Sequence, residues 1–388
     1  MFEEALRALR RAVWSGGREG RAWIAGEDEE GQVVVQVESP AGAYTLRLPD
    51  ARLVDALVGP PLKEIRTSLP LPYRPRTARP LPVAAAPVAA SVMLVRAGEA
   101  AQRMSAVDRI DGDRLCLAGY TCRGPTKADQ GLDYKPYNED GMLLHWMQRD
   151  DGSEIAILGA FDQAGGEGRV DDRHGAASQA AAQAIESFAH RFAAEDPPTV
   201  LADAVAAADD AVNALEVGAV STLAVAVVVT RPDHSAVAHV ATVGDSRVVH
   251  LGPAGGLQNA SVLHNLGAQV AVGKADGIHP AFALQFAGGL SRGLGGEDAR
   301  PEIASWVLAP GDRLVVASDG LGDARELEEM PLGTWHADLC SEHVAQIAAA
   351  AADPAEAVHA LVGYALDQAA EGYGKPDNIA VTVLALRP

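Results

Sequence analysis

Cysteine, long apolar runs and basic residues are all scarce in this chain, and each shortage excludes something. The 388 residues hold three cysteines, Cys116, Cys122 and Cys340. An odd number without metal-like pair spacing suggests neither a disulfide framework nor a zinc site. No apolar run reaches the ~20 residues that span a bilayer. The longest, residues 83–95, is alanine-rich and interrupted by Pro87. The N-terminus lacks the apolar core and small-residue cleavage site of a signal peptide, so a cytoplasmic protein with no membrane partner is expected. Against 52 Asp+Glu stand only 32 Lys+Arg, a net charge of −20. The first hundred residues are balanced, 13 basic to 12 acidic, and the rest carry 19 to 40. That deficit argues against nucleic acid, whose binding rests on basic patches. Clustered carboxylates would attract divalent cations instead.

What is present is enough to build a core. Hydrophobic residues make up 48% of the chain, so global disorder is not expected. Three segments are distinguished. Residues 1–58 read as a small αβ module: a helical pattern over 2–13, strands over 21–25, 32–37 and 43–48, and a short helix over 53–58. This module either binds a protein partner or simply packs. Residues 59–110 open on a proline-rich stretch, with eight of the chain's 23 prolines between Gly59 and Ala90. Proline at that density favours extended, semi-stiff backbone, a linker or a strap.

Residues 111–388 alternate strand and helix patterns. Strands are expected over 113–118, 141–147, 155–161, 223–230, 237–243, 247–251, 313–317 and 379–386. Alanine-rich helices are expected over 176–193, 200–215, 341–351 and 354–370, with Thr199 and Asp353 as candidate caps. Helix pairs between antiparallel-looking strand groups suggest an α+β layered fold rather than a doubly wound sheet. Residues 252–289 show little periodicity, and loops of that length are usually functional or disordered.

Acidic residues recur where apolar strands end. Asp162 follows 155–161, Asp319 follows 314–317, and Asp377 opens the final strand; Glu139 and Asp140 precede 141–147. One Asp at a strand end is most simply a turn residue. Several converging carboxylates would repel one another unless cations sat among them. No His or Cys lies in these segments, so the oxygen-only set suits Mg²⁺ or Mn²⁺ rather than zinc or copper.

Seven segments, in order, resemble the motifs of the PPM, or type 2C, metal-dependent Ser/Thr protein phosphatases of bacterial type. They are Tyr137-Asn138-Glu139-Asp140-Gly141, Gly159-Ala160-Phe161-Asp162 with Gly165-Gly166, Ser221-Thr222, and Val243-Gly244-Asp245-Ser246-Arg247. Then come Leu290-Ser291-Arg292-Gly293-Leu294-Gly295, Ala317-Ser318-Asp319-Gly320-Leu321 and Pro376-Asp377-Asn378. The resemblance runs from near Leu115 to the C-terminus. It implies an αββα four-layer sandwich with a metal site at one end, and a flap over 252–289. It implies two Mn²⁺ or Mg²⁺ ions. Asp162 would bridge the pair, with Glu139, Asp140, Asp319, Asp377 and the Gln163 carbonyl completing the shells. Asp245 and Asp323, with Asp319, would hold a third, weaker ion. The implied activity is hydrolysis of phosphoserine and phosphothreonine in proteins phosphorylated by a Ser/Thr kinase, a signalling role.

Two departures from the family pattern bear on the chemistry. Lys135 stands where an arginine usually grips the substrate phosphate, so charge is kept and the bidentate fork is lost. Ala164 stands where a histidine is commonly given the general-acid role, and Gln163 replaces a glycine beside it. A missing general acid typically costs on the order of 10²–10⁴ in rate; a water, His174 or His264 are alternative proton sources. Gln163 either narrows the site or contacts substrate. Two other readings stand beside the active phosphoprotein phosphatase: a phosphatase-fold binding module with little turnover, and a phosphatase of a small phosphorylated molecule.

Overall fold

The computed structural model describes residues 21–27, 33–39, 42–48, 88–124, 137–164, 175–215, 220–265, 289–296, 298–321, 342–371 and 377–387. The chain divides into two units, Met1–Pro72 with Val272–Ala287, and Tyr73–Ala271 with Gly288–Pro388. In the first, β1 (Arg21–Glu27), β2 (Val33–Ser39) and β3 (Gly42–Leu48) form an antiparallel meander. These are the three strands expected there. The helices expected over 2–13 and 53–58 lie outside the described residues.

The second unit is built on two six-stranded antiparallel sheets. The strands of the first, from one edge to the other, are β15 (Glu302–Leu308), β12 (Ala236–Val243), β11 (Leu223–Thr230), β8 (Glu154–Phe161), β7 (Gly141–Arg149) and β4 (Val88–Arg96). Those of the second are β14 (Leu257–Ala260), β13 (Arg247–Leu251), β16 (Arg313–Ala317), β17 (Ile379–Leu386), β6 (Leu115–Cys122) and β5 (Asp108–Asp111). A two-residue pair, β9 (Gln163–Ala164) with β10 (Val220–Ser221), sits beside them.

Side-chain alternation along each strand creates the layers. In β11, Val225, Val227 and Val229 point one way with Ile155 and Ile157 of β8. They meet Ala181, Ile185, Val200, Leu201 and Val205 from α2 (Ala176–Ser187) and α4 (Pro197–Asn213). The alternate residues Ala224, Ala226 and Val228 point the other way and meet Leu117, Val248, Leu314, Val316 and Leu384 of the second sheet. That sheet's outer face, including Val249, Val315, Val381 and Val383, packs on Val358, Leu361 and Val362 of α6 (Pro354–Glu371) and Val344 of α5 (Glu342–Ala350). The order helix, sheet, sheet, helix is the expected four-layer sandwich. Because each central strand is covered on both faces, β8 and β11 are apolar nearly throughout rather than alternating in polarity. Asp353 caps α6: its side chain accepts from the Glu356 amide at 2.9 Å, while Glu356 reaches back to the Ala352 amide at 2.6 Å.

Three boundaries differ from expectation. β4 lies inside 59–110, where the proline content pointed to a linker or strap, yet it is a sheet strand paired with β7 from Val88 to Arg96. A four-residue helix, α1 (Glu99–Gln102), and β5 follow it before residue 111. β15 was not anticipated; Pro301 and mixed polarity mask it, although Trp306 is buried between the sheets. The single helix expected over 176–193 breaks at Phe188 into α2 and α3 (Ala189–Ala194). Of the expected flap, 266–288 lies outside the described residues.

Candidate metal centre

Three strand ends bring carboxylates together. Asp162 follows β8, Asp245 lies in the turn from β12 to β13, and Asp319 follows β16, so both sheets contribute. One oxygen from each of the three lies within 4.8 Å of the others. All three residues are buried, at 6%, 4% and 7% exposure. Three like charges at that spacing in a low-dielectric site repel strongly. A hard divalent cation among them removes the repulsion, and the all-oxygen donor set with this burial fits one. Among the described residues, this is the group of acidic or metal-binding side chains with such geometry.

A mesh of hydrogen bonds holds the three in place. The Thr222 hydroxyl accepts from the Asp162 amide at 3.1 Å, and the Thr222 amide donates to the Asp162 carbonyl at 2.8 Å. The same hydroxyl lies 2.5 Å from that of Ser246, the neighbour of Asp245. Gly244, at φ 95°, lets the chain turn over Thr222; a Cβ there would lie 2.8 Å from the threonine Cβ. Ser318, next to Asp319, donates to Asp140 Oδ2 at 2.6 Å and accepts from the Ala380 amide at 2.9 Å. Gly320 packs so closely on the Asn378 carbonyl that no side chain fits.

Glu139, Asp140 and Asp377 lie outside the three-oxygen group and are tied into the surrounding mesh. The Glu139 amide donates to Asn378 Oδ1 at 2.9 Å, and its carbonyl accepts from Ser178 at 2.5 Å. The Asp140 amide donates to Asn138 Oδ1 at 3.2 Å, and Asn138 in turn donates to Thr121 at 2.9 Å. Asp377 accepts from the Asn378 amide at 2.9 Å. Lys135, Asp323, His174 and Gly165-Gly166 lie outside the described residues.

Gln163 does something the sequence did not reveal. Its side chain is buried, and Oε1 accepts from the Ala177 amide at 2.9 Å, in the first turn of α2. Gly175, at the N-cap, has no side chain to do this, so Gln163 supplies the missing cap. Its side chain is therefore spent on the helix rather than on narrowing the site or contacting substrate.

His264 is buried, with Nδ1 3.2 Å from the Gly244 amide and Nε2 3.2 Å from the Arg292 guanidinium. Burial and then the arginine charge hold its pKa down at about 3, so it is neutral near pH 7. Thr222, Ser246, Ser318, Ser178 and Asn378 are the functional neighbours that sequence reasoning left without a role. Four of them sit in the quoted segments, and the signal was a hydroxyl or amide beside each acidic residue.

The sequence matches no family model and no curated protein. Solved structures do match. The PPM Ser-Thr phosphatase MsPP from Mycobacterium smegmatis, in complex with cacodylate, is 24% identical, covering 71% of this chain and 100% of that one, with a TM-score of 0.48. The catalytic domain of the serine/threonine phosphatase PstP, in complex with two manganese ions, is 22% identical over 71% and 99% of the two chains, TM-score 0.49. A serine/threonine phosphatase from Staphylococcus aureus is 18% identical over 70% and 95%, TM-score 0.49. These are proteins that the chain resembles.

Proposed function

We propose that this chain is a metal-dependent phosphatase that hydrolyses phosphoserine and phosphothreonine monoesters in proteins. The observation that carries the reading is the buried convergence of Asp162, Asp245 and Asp319 from both sheets. Burying carboxylates together is costly, and a module that only bound partners would have no use for it. Asp162, Asp245 and Asp319 would hold Mn²⁺ or Mg²⁺, with Glu139, Asp140, Asp377, Asp323 and the Gln163 carbonyl as further ligand candidates. Once bound, such ions neutralise phosphate charge and make water a stronger nucleophile near neutral pH.

The chain's own residues then have separable tasks. Thr222 with Ser246, and Ser318 with Asp140, fix the angles at which the carboxylates approach one another. Lys135 is proposed to attract the substrate phosphate as a point charge. Ala164 has no proton to give and His264 is held neutral, which leaves a water or His174 to protonate the leaving group. A good leaving group suffers less from that than a serine alkoxide does. The test is hydrolysis of p-nitrophenyl phosphate and of a phosphoserine peptide with Mn²⁺, then with EDTA. The proposal expects turnover of both, abolished by EDTA and favouring p-nitrophenyl phosphate. Turnover of small phosphate esters with none of phosphopeptide would move the substrate to a small molecule.

A further inference from the structure

The two sheets have four edges, and three of them are guarded. β5 and β14 are four residues long, and β5 carries Asp108, Arg109 and Asp111. β15 opens on Glu302 just after Pro301. Short strands, charge and flanking proline are the usual means by which a sheet discourages further pairing. β4 is guarded only at its start, by Pro87 just before it and an irregularity in its pairing with β7 between Val88 and Ala90. It runs nine residues, Val88–Arg96, without proline inside it and without charge before Arg96, whose guanidinium is held by Asp108 at 2.7 Å.

β4 is also where exposed apolar surface gathers. Its C-terminal end is anchored: Leu94 packs into the core between the sheets, and Val95 into the core under the helices. Residues 88–93 instead project past both cores. Val88, Val92 and Met93 are 43%, 44% and 41% exposed, three of the six large hydrophobic residues exposed among the described ones. Neighbouring residues on a strand point to opposite faces, so Val92 and Met93 overhang on both sides at once. A partner that covered only one face would leave the other wet. Addition of a further strand covers both faces and satisfies the outward backbone groups together.

We infer that β4 is a self-association edge, where a second copy of this chain adds its own β4 antiparallel and extends the sheet across a two-fold axis. Self-pairing suits the strand's chemistry. A register centred on Val92 sets Ala90 against Leu94 and Ser91 against Met93, small against large in each case. The stretch is uncharged in a chain of net charge −20, so two copies meet here without opposing carboxylates. The residues that lead into β4 have a sequence poorly suited to a paired strand. Between Gly59 and Pro87 there are eight prolines, each lacking the N–H that a ladder needs.

The experiment is sedimentation equilibrium of the full chain across a dilution series, with amide hydrogen exchange read over 88–96. Wild type should show twice the chain mass at high concentration, dissociating on dilution, with amides 89–93 becoming protected as the dimer forms. Val92→Lys, and separately Ala90→Lys, should give single-chain mass at every concentration, with unchanged circular dichroism and melting temperature. The second variant stands in should the first not fold. A dimer that persists in both folded lysine variants overturns the inference. So does a monomeric wild type, whether its 89–93 amides exchange freely or are protected by the chain's own residues.

Discussion

Removing the Ser318 hydroxyl should unlock the metal centre and destabilise the sandwich together. In Ser318→Ala two buried bonds disappear: the one donated to Asp140 at 2.6 Å, and the one accepted from the Ala380 amide at 2.9 Å. A hydrogen bond to a charged acceptor contributes about 1.5–3 kcal/mol, and a backbone amide left buried without an acceptor costs about 1–3 kcal/mol. Their sum is roughly 2.5–6 kcal/mol, against a typical total stability of about 5–15 kcal/mol. At about 2 °C per kcal/mol for a domain of this size, the melting temperature should fall by roughly 5–12 °C. Ser318→Thr keeps the hydroxyl and should recover part of the loss. Scanning calorimetry and Mn²⁺ titration on the same samples provide the assay, and Mn²⁺ affinity should fall because Asp140 and Asp319 lose their common anchor. A melting shift below about 2 °C with unchanged Mn²⁺ affinity would refute the view that this hydroxyl ties strand β17 to the carboxylates.

Three further outcomes follow from named contacts. Gln163→Ala should cost about 1 kcal/mol through loss of the α2 cap, whereas Gln163→Glu should retain it, as urea denaturation will report; equal stability of all three would mean the bond to Ala177 carries no weight. Gly320→Ala should fail to accumulate as folded protein, because its Cβ collides with the Asn378 carbonyl; a folded variant of near-native melting temperature would contradict that packing. Burial holds His145 and His239 at a pKa of about 4, below the unfolded value of about 6.5. The unfolded chain thus binds the extra protons, and stability is complete above about pH 6.5 and lost as pH falls toward 4, by about 1.4 kcal/mol per pH unit for each imidazole. Stability that stayed flat between pH 6.5 and 5 would contradict it.

Strands covered on both faces were easy to read, because β8, β11 and β17 are apolar almost without interruption. β4 and β15 were not. β4 is alanine-rich, follows Pro87 and projects half its length into solvent, so local pattern and local composition disagreed. β15 mixes Glu302 and Ser305 with a single buried tryptophan. At the site, the acidic residues were legible from their places at strand ends. The resemblance puts Asp245 with Asp319 and Asp323; that Asp245 also meets Asp162 was not legible, since nothing local joins positions so far apart. The hydroxyl mesh was invisible for the same reason: Ser318 and Asp140 are 178 residues apart, and serine has no periodicity to betray a partner. The cap that Gln163 gives α2 was not legible, because the residue it meets, Ala177, lies 14 positions away beyond a loop.

The central claim is that the buried carboxylates serve metal-dependent phosphate hydrolysis. Its most direct test is phosphate release from a phosphoserine peptide by the purified chain, with and without Mn²⁺, in wild type and Asp319→Ala. The account predicts release by wild type only when Mn²⁺ is present, and at least a hundredfold less by the variant, roughly the 3 kcal/mol expected for losing a charge-stabilising group in a buried site. Release that is indifferent to Mn²⁺, or a fully active Asp319→Ala protein, would contradict it.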